Sequence, residues 1–313
     1  LEIQQLTFEK YKEAFPQPYH IFNSASFAKH NEDKCEELLY LGFFKDNKPR
    51  LGLTAGIRNG CINSPFSAPF GGFTFLKEDV KIAYLDEALI AFEQFAIERG
   101  LASIKMVLPP DCYHPSFISK QVNALYRAGY SIPYIDLNYQ FFIKDFTENY
   151  LNEIWYNAKK NYNRAIKNTL SFQKQETNEG KRQVYDVVAK NRSSRGFPLR
   201  MTWDQVWTTA EIVPADFFLV TNTMNVAIAS AIVFNVAPKI VQVIYWGDLP
   251  EFAEYKTMNF LSYSVFEYYK ENGIDIIDIG PSTENGIPNF GLCEFKESIG
   301  CKISTKNSFL KTL

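Results

Sequence analysis

No Cys-x-x-Cys pair joins any of the five cysteines (Cys35, Cys61, Cys112, Cys293 and Cys301), and the three histidines, His20, His30 and His114, form neither His-x-His nor His-Glu-x-x-His. The common zinc and dithiol sites are thereby excluded, and an odd cysteine count does not suit a secreted disulfide framework. A reducing, cytoplasmic location without a bound metal is the expectation. Cys112-Tyr113-His114 places a thiol and an imidazole two residues apart, which supplies only two ligands and fixes no nucleophile–base geometry. No apolar run approaches the roughly 20 residues of a membrane span, and no basic-then-apolar segment opens the chain. Charge of one sign is missing too. The net charge is -2, so bulk attraction would not hold the chain on a polyanion or an anionic membrane, and any such contact has to be local.

What is present fills two cores: 313 residues with 46% apolar and 16% aromatic content exceed the usual size of one domain. Residues 82–99 carry Leu85, Leu89, Phe92 and Ala96 at 4-3-4 spacing, an apolar helical stripe that ends at Gly100 before a strand-like run. Residues 257–272 repeat the pattern with Met258, Leu261, Val265 and Tyr268 before Gly273. Each unit continues into a second short helix ending in glycine, Gly129 and Gly300, and then another strand. Antiparallel strand candidates precede each unit: 37–45 and 50–57 around Asp46-Asn47-Lys48-Pro49, then 217–221, 226–234 and 240–246. The chain therefore reads as α/β (α+β), two related domains with mixed central sheets, 1–147 and 148–313.

This order of elements, present twice, resembles the double GNAT-like fold of the Fem peptidoglycan aminoacyltransferases. The most specific match is Ile277-Asp278-Ile279-Gly280-Pro281-Ser282, followed by Asn289-Phe290-Gly291-Leu292-Cys293-Glu294-Phe295-Lys296-Glu297-Ser298-Ile299-Gly300. It is similar to the family's closing Asp-x-Gly strand end and Phe-Lys-x-x-Phe-Gly segment, with Ile299 in place of the usual aromatic. Residues 157–168 are similar to the basic helix that opens the second Fem domain. The resemblance implies transfer of an acyl or aminoacyl group from acyl-coenzyme A or aminoacyl-tRNA, used as a co-substrate rather than held as a cofactor, to a small-molecule or peptide-like primary amine. A noncatalytic binding or scaffold protein that retained the fold is the alternative.

The superfamily's pyrophosphate segment, rich in glycine before a helix, corresponds here to Tyr245-Trp246-Gly247-Asp248-Leu249-Pro250-Glu251-Phe252-Ala253-Glu254. One glycine, a proline without a donor and three carboxylates oppose a phosphate there. In the first half Gly71 and Gly72, with Lys77 close behind, form either an anion-accepting loop or an ordinary tight turn. Asp278, at the carboxyl end of a parallel strand, is the candidate catalytic carboxylate; alternatively it holds the Gly280 turn. Lys296 faces either an anionic substrate or a neighbouring acid. Between residues 151 and 200 eleven Lys/Arg stand against four acids, and Lys160, Arg164 and Lys167 share one helical face suited to phosphates, including those of tRNA. Arg195, in Arg192-Ser193-Ser194-Arg195-Gly196, is read in a flexible loop able to take phosphate or carboxylate.

Overall fold

The structure is a computed structural model and describes residues 1–197 and 199–313. In chain order its elements are β1 (Glu2–Gln5), α1 (Phe8–Ala14), α2 (Ala25–His30), β2 (Glu37–Lys45), β3 (Lys48–Arg58), β4 (Cys61–Ser64), β5 (Thr74–Phe75), α3 (Ile82–Glu98), β6 (Ser103–Val107), α4 (Pro115–Arg127) and β7 (Ser131–Phe142). There follow α5 (Tyr150–Glu153), α6 (Tyr156–Ala165), β8 (Ser171–Lys174), α7 (Asn178–Ser194), α8 (Trp203–Ala210), β9 (Ala215–Thr221), β10 (Ala227–Ala237), β11 (Ile240–Asp248) and α9 (Thr257–Glu271). The chain ends with β12 (Ile276–Pro281), the short hairpin β13 (Thr283–Glu284) and β14 (Ile287–Pro288), α10 (Phe290–Ser298) and β15 (Lys302–Thr312).

Two compact units result: Leu1–Leu137 with Thr283–Ile287 and Ser304–Leu313, and Asn138–Ser282 with Pro288–Ile303. The division does not fall at 147/148. β7 begins in one unit and ends in the other, and β15 returns the chain to the first.

In the first unit the strands run β1-β2-β3-β4-β6-β15 and then the opening half of β7, with β5 on β3. The β2–β3 hairpin turns on Asp46 and Asn47, both at positive φ, which is the twist a two-residue turn needs. Leu85, Leu89, Phe92 and Ala96 of α3 are fully buried against this sheet together with Leu39, Leu53, Ile104 and Met106. The apolar stripe read from the sequence is therefore the core-facing side of the helix.

Gly100 ends α3 at φ +67, with open space where a Cβ would stand. The left-handed conformation alone calls for glycine there. Gly100→Ala is expected to lower stability by about 1 kcal/mol. The check is the urea midpoint, which should fall with an unchanged slope.

The second unit orders its strands from the closing half of β7 through β12, β11, β10 and β9 to β8. α7 and α9 cover opposite faces. On β9, Phe217 lies under Lys181 of α7 at 5.8 Å, while its neighbour Phe218 meets Tyr268 of α9 at 4.9 Å. Successive strand residues point to opposite sides. α6 lies over α9 through stacked Tyr162 and Tyr263, 4.4 Å between ring centres.

Candidate functional site

The second unit contains a parallel pair that comes apart. β11 and β12 match at Ile240/Ile276, Val241/Ile277 and Gln242/Asp278 and no further. Beyond that point β11 continues along β10, and β12 follows β7 through a register shift between Asp278 and Gly280. Asp278 sits where the two part. Its Oδ2 accepts from Gln242 Nε2 at 2.7 Å, and its Oδ1 accepts from Asn138 Nδ2 and from the Gly280 amide, each at 2.8 Å. The last bond closes an Asx turn that puts Gly280 at φ +73 and makes the bulge. The carboxylate is 0% exposed, and one of its three bonds holds the Gly280 turn.

Gly280 in turn sets the direction of three carbonyls. α10 starts at Asn289, whose side chain accepts from the Leu292 amide at 3.2 Å. From the far side of this helix Lys296 reaches back to the strand end. Its Nζ donates to the carbonyls of Ile279 (3.0 Å), Gly280 (2.9 Å) and Pro281 (3.2 Å) and lies 5.2 Å from the centre of the Tyr139 ring. It is 4% exposed. Burial pushes its pKa down to about 8, against the opposing pull of Cys301, Asp278 and Cys293, and the nearby Arg192 charge pushes it further down. Three strand-end carbonyls are the hydrogen-bond partners of Lys296.

Arg192 is the residue that the sequence reading underrated. The segment 192–196 is the end of α7 rather than a loop, closed by Gly196 at φ +74. Arg192 and Arg195 are three apart and so share a face. Arg192 is half-buried, and no acceptor meets its Nε. Burial lowers its pKa; the Tyr245 phenol opposes that, and Arg195 and Arg200 reinforce it. Arg195 Nη2 is 3.4 Å from Asp248 Oδ1, and burial raises the pKa of that carboxylate despite the arginine. Among the described residues no carboxylate lies within ion-pair distance of Arg192 or Lys296. Trp246 and Phe295 meet edge to face at 6.0 Å between the end of β11 and α10. Arg192, Arg195, Lys296, Tyr245 and Trp246 therefore make a cationic, aromatic corner beside the diverging strands.

Arg200 adds its charge beside Arg192 and Tyr245, and most of the other cations of residues 151–200 are held elsewhere. Lys174 pairs with Asp216 at 2.9 Å and Arg182 with Asp186 at 2.9 Å, and Lys190 pairs with Glu251. Lys160 and Arg164 are exposed on α6, and Lys167 follows in a 3-10 turn. They lie on the α9 side, opposite the α7 side that carries Arg192. The sequence excess of positive charge is thus divided by the sheet. After β11 the chain forms a 3-10 turn, Pro250–Tyr255, in place of a glycine-rich loop.

The glycine pair of the first unit has no donors to offer. Beyond the parallel pairing of β4 and β6, the Gly71 amide donates to Val107 O (2.8 Å), the Gly72 amide to Ser64 Oγ (3.1 Å) and the Phe73 amide to Gln121 Oε1 (2.9 Å). An anion-accepting loop at Gly71 and Gly72 is therefore corrected to a buried turn. A Cβ on Gly71 would stand 2.7 Å from Ser64 Oγ, and Gly72 has φ +88, so close approach and backbone conformation explain both glycines. Lys77 is exposed nearby without them. His114 accepts from the Phe117 amide as the cap of α4, and burial pushes His20 down to about 3 among aromatic rings. No metal-binding cluster occurs among the described residues. Nor is any described helix long and apolar enough to cross a membrane.

No family model matches the sequence, and no curated protein does. Solved structures do. The chain is similar to FemX with a TM-score of 0.72 at 12% identity, over 100% of this chain and 98% of that one. It is similar to L-PGS from Bacillus licheniformis (TM-score 0.60, 12% identity, 98% and 92% covered) and to a tandem GNAT protein from the clavulanic acid biosynthesis pathway (0.55, 8%, 99% and 98%). The tandem GNAT-like architecture expected from the sequence is the observed fold. At these identities the likeness is one of fold.

Proposed function

We propose that the chain transfers an acyl or aminoacyl group from an activated donor to a primary amine, with the parting of β11 and β12 as the seat of the reaction. One observation carries this reading: a buried ammonium, Lys296, with its pKa near 8, stands at the end of β12 beside the unneutralised Arg192. The amine nitrogen attacks the donor carbonyl carbon, negative charge develops on the carbonyl oxygen, and as the carbonyl re-forms the bond to the coenzyme A sulfur or the tRNA ribose oxygen breaks, that atom taking the proton the amine nitrogen loses. Fixed positive charge, that of the buried Lys296 above all, lowers the energy of that oxyanion without reorganisation. Lys296 acts through its charge, since the three carbonyls already receive its protons. Asp278 positions it by holding the Gly280 turn. Arg192 and Arg195 suit a phosphate or carboxylate on the donor or the acceptor, which guanidinium forks bind well.

The rival reading, a noncatalytic binding or scaffold protein, is favoured by the glycine-poor turn after β11. The two readings are separated by incubating the protein with acyl-coenzyme A or aminoacyl-tRNA plus primary amines and resolving the products by mass. Product is expected with one donor. Arg195→Ala should raise KM for the anionic substrate about tenfold with kcat nearly kept, as expected when uniform binding is lost. A tight donor complex that never yields product would support the binding protein instead.

A further inference from the structure

Lys296 has one close neighbour to which the proposed transfer gives no part. Its N–H groups are spent on the carbonyls of Ile279, Gly280 and Pro281, and among the described residues no carboxylate stands within ion-pair distance of it. Neutral carbonyls satisfy the donors and leave the charge unmatched. The Tyr139 ring faces that charge, with Nζ 5.2 Å from the ring centre. This is inside the roughly 6 Å over which a ring face attracts a cation, and the attraction grows when both are withdrawn from water. Both are: Tyr139 is 0% exposed and Lys296 4%. The ring is placed by β7 and held by α10. Tyr139 pairs with Gly280 across β7 and β12, beside the bulge that aims the three carbonyls. Its hydroxyl donates to Glu297 Oε1 at 3.0 Å. Lys296 and Glu297 are consecutive in α10, so one turn of the helix grips the ring twice, ammonium over its face and carboxylate at its phenol. A phenol that donates to a carboxylate has a more electron-rich ring, and therefore a more negative face for the cation.

We infer that Tyr139, tied to Glu297, is a positioning residue that holds the Lys296 ammonium charged and in place at the end of β12. Its bearing on transfer rests on the proposed function, because it reaches the reaction only through Lys296. The other ionisable groups near the ammonium are Asp278 on β12, Cys293 within α10, Cys301 just after it, and Arg192 on α7. Asp278 and the two thiols favour the charged form, whereas burial and Arg192 oppose it, burial most strongly. The balance is close, since the group is half deprotonated near pH 8. Withdrawing one favourable partner therefore empties the charge from the site at the pH where an amine acceptor becomes reactive.

The test reads the titration of Lys296 from folding stability against pH, each variant being compared with the same substitution made in Lys296→Met. In the wild-type protein the rise in stability contributed by Lys296 begins near pH 8. Tyr139→Leu removes the ring, worth about a tenfold change in proton affinity, and should move that onset to about pH 7. Tyr139→Phe and Glu297→Gln keep the ring and should move it the same way by about half as much. The sign is fixed, because a lower pKa in the folded chain widens the range over which the unfolded chain holds more protons. In the transfer assay Tyr139→Leu should be about fivefold slower at pH 8, with the deficit closing at pH 6, where the ammonium is charged in every variant. Variants that lose stability equally at every pH, with the onset still near pH 8, would overturn the proposal, and so would a transfer deficit that does not change with pH. An onset that moves as described while neither donor yields product would sink the transfer reading alone and bear out the hold on the ammonium.

Discussion

Asp278→Ala is expected to lower the stability of the chain by about 4 kcal/mol, more than any other substitution considered. Three donors, the side-chain amides of Asn138 and Gln242 and the backbone amide of Gly280, meet this one buried carboxylate. Each donor left without an acceptor in the interior costs about 1–3 kcal/mol, and removing the buried charge returns only part of that. Asp278→Asn keeps the shape but turns an amide donor towards donors, and about half the loss is expected. Urea titration followed by fluorescence measures both. A loss below about 1 kcal/mol for the alanine variant would mean that the carboxylate does not organise the strand end, and the positioning role would have to be given up.

Lys296→Met should remove a pH dependence that the wild-type protein shows. In the folded chain Lys296 releases its proton near pH 8, against 10.5 for an ordinary lysine. Below pH 8 both states hold the proton and the burial penalty is complete. From about pH 8 to 10.5 the unfolded chain binds more protons than the folded one, so stability rises with pH. The gain from this group is about 1 kcal/mol between pH 8 and 9. Cys301 works the other way: burial pushes its thiol up to about 12, which lowers stability above its ordinary value of 9.0. The difference between wild type and Lys296→Met below pH 9 therefore isolates the lysine. Parallel curves for the two proteins would show that the ammonium is not buried in solution.

The elements with local causes were legible in the sequence. The α3 stripe, the Asp46-Asn47 turn and the glycines at 100, 129, 273 and 300, all at positive φ, follow from periodicity and from conformations that only short stretches decide. The passage of β7 and β15 between units was not legible, because strand partners far apart in sequence leave no spacing signal. The site was half legible. Asp278 and Lys296 stood out in the closing segment, but a lysine on a nine-residue helix reads as solvated, and only the bulge at Gly280 explains why it turns inward. Arg192 was one of eleven cations. Its distinction is the burial of an unpaired Nε, a property of α7 packed on β11 and not of any motif. Asn138 and Gln242 lie on strands whose alternation gives no hint that they face a carboxylate.

The most direct measurement is single-turnover transfer followed by mass spectrometry. Wild-type and folded Lys296→Met proteins are mixed with acyl-coenzyme A or aminoacyl-tRNA and a panel of primary amines. The account predicts an amide product from one donor, formed about a hundredfold more slowly by the methionine variant, the size of effect typical of losing one oxyanion-stabilising group. Equal rates in the two proteins, or no product from either donor across the panel, would contradict it.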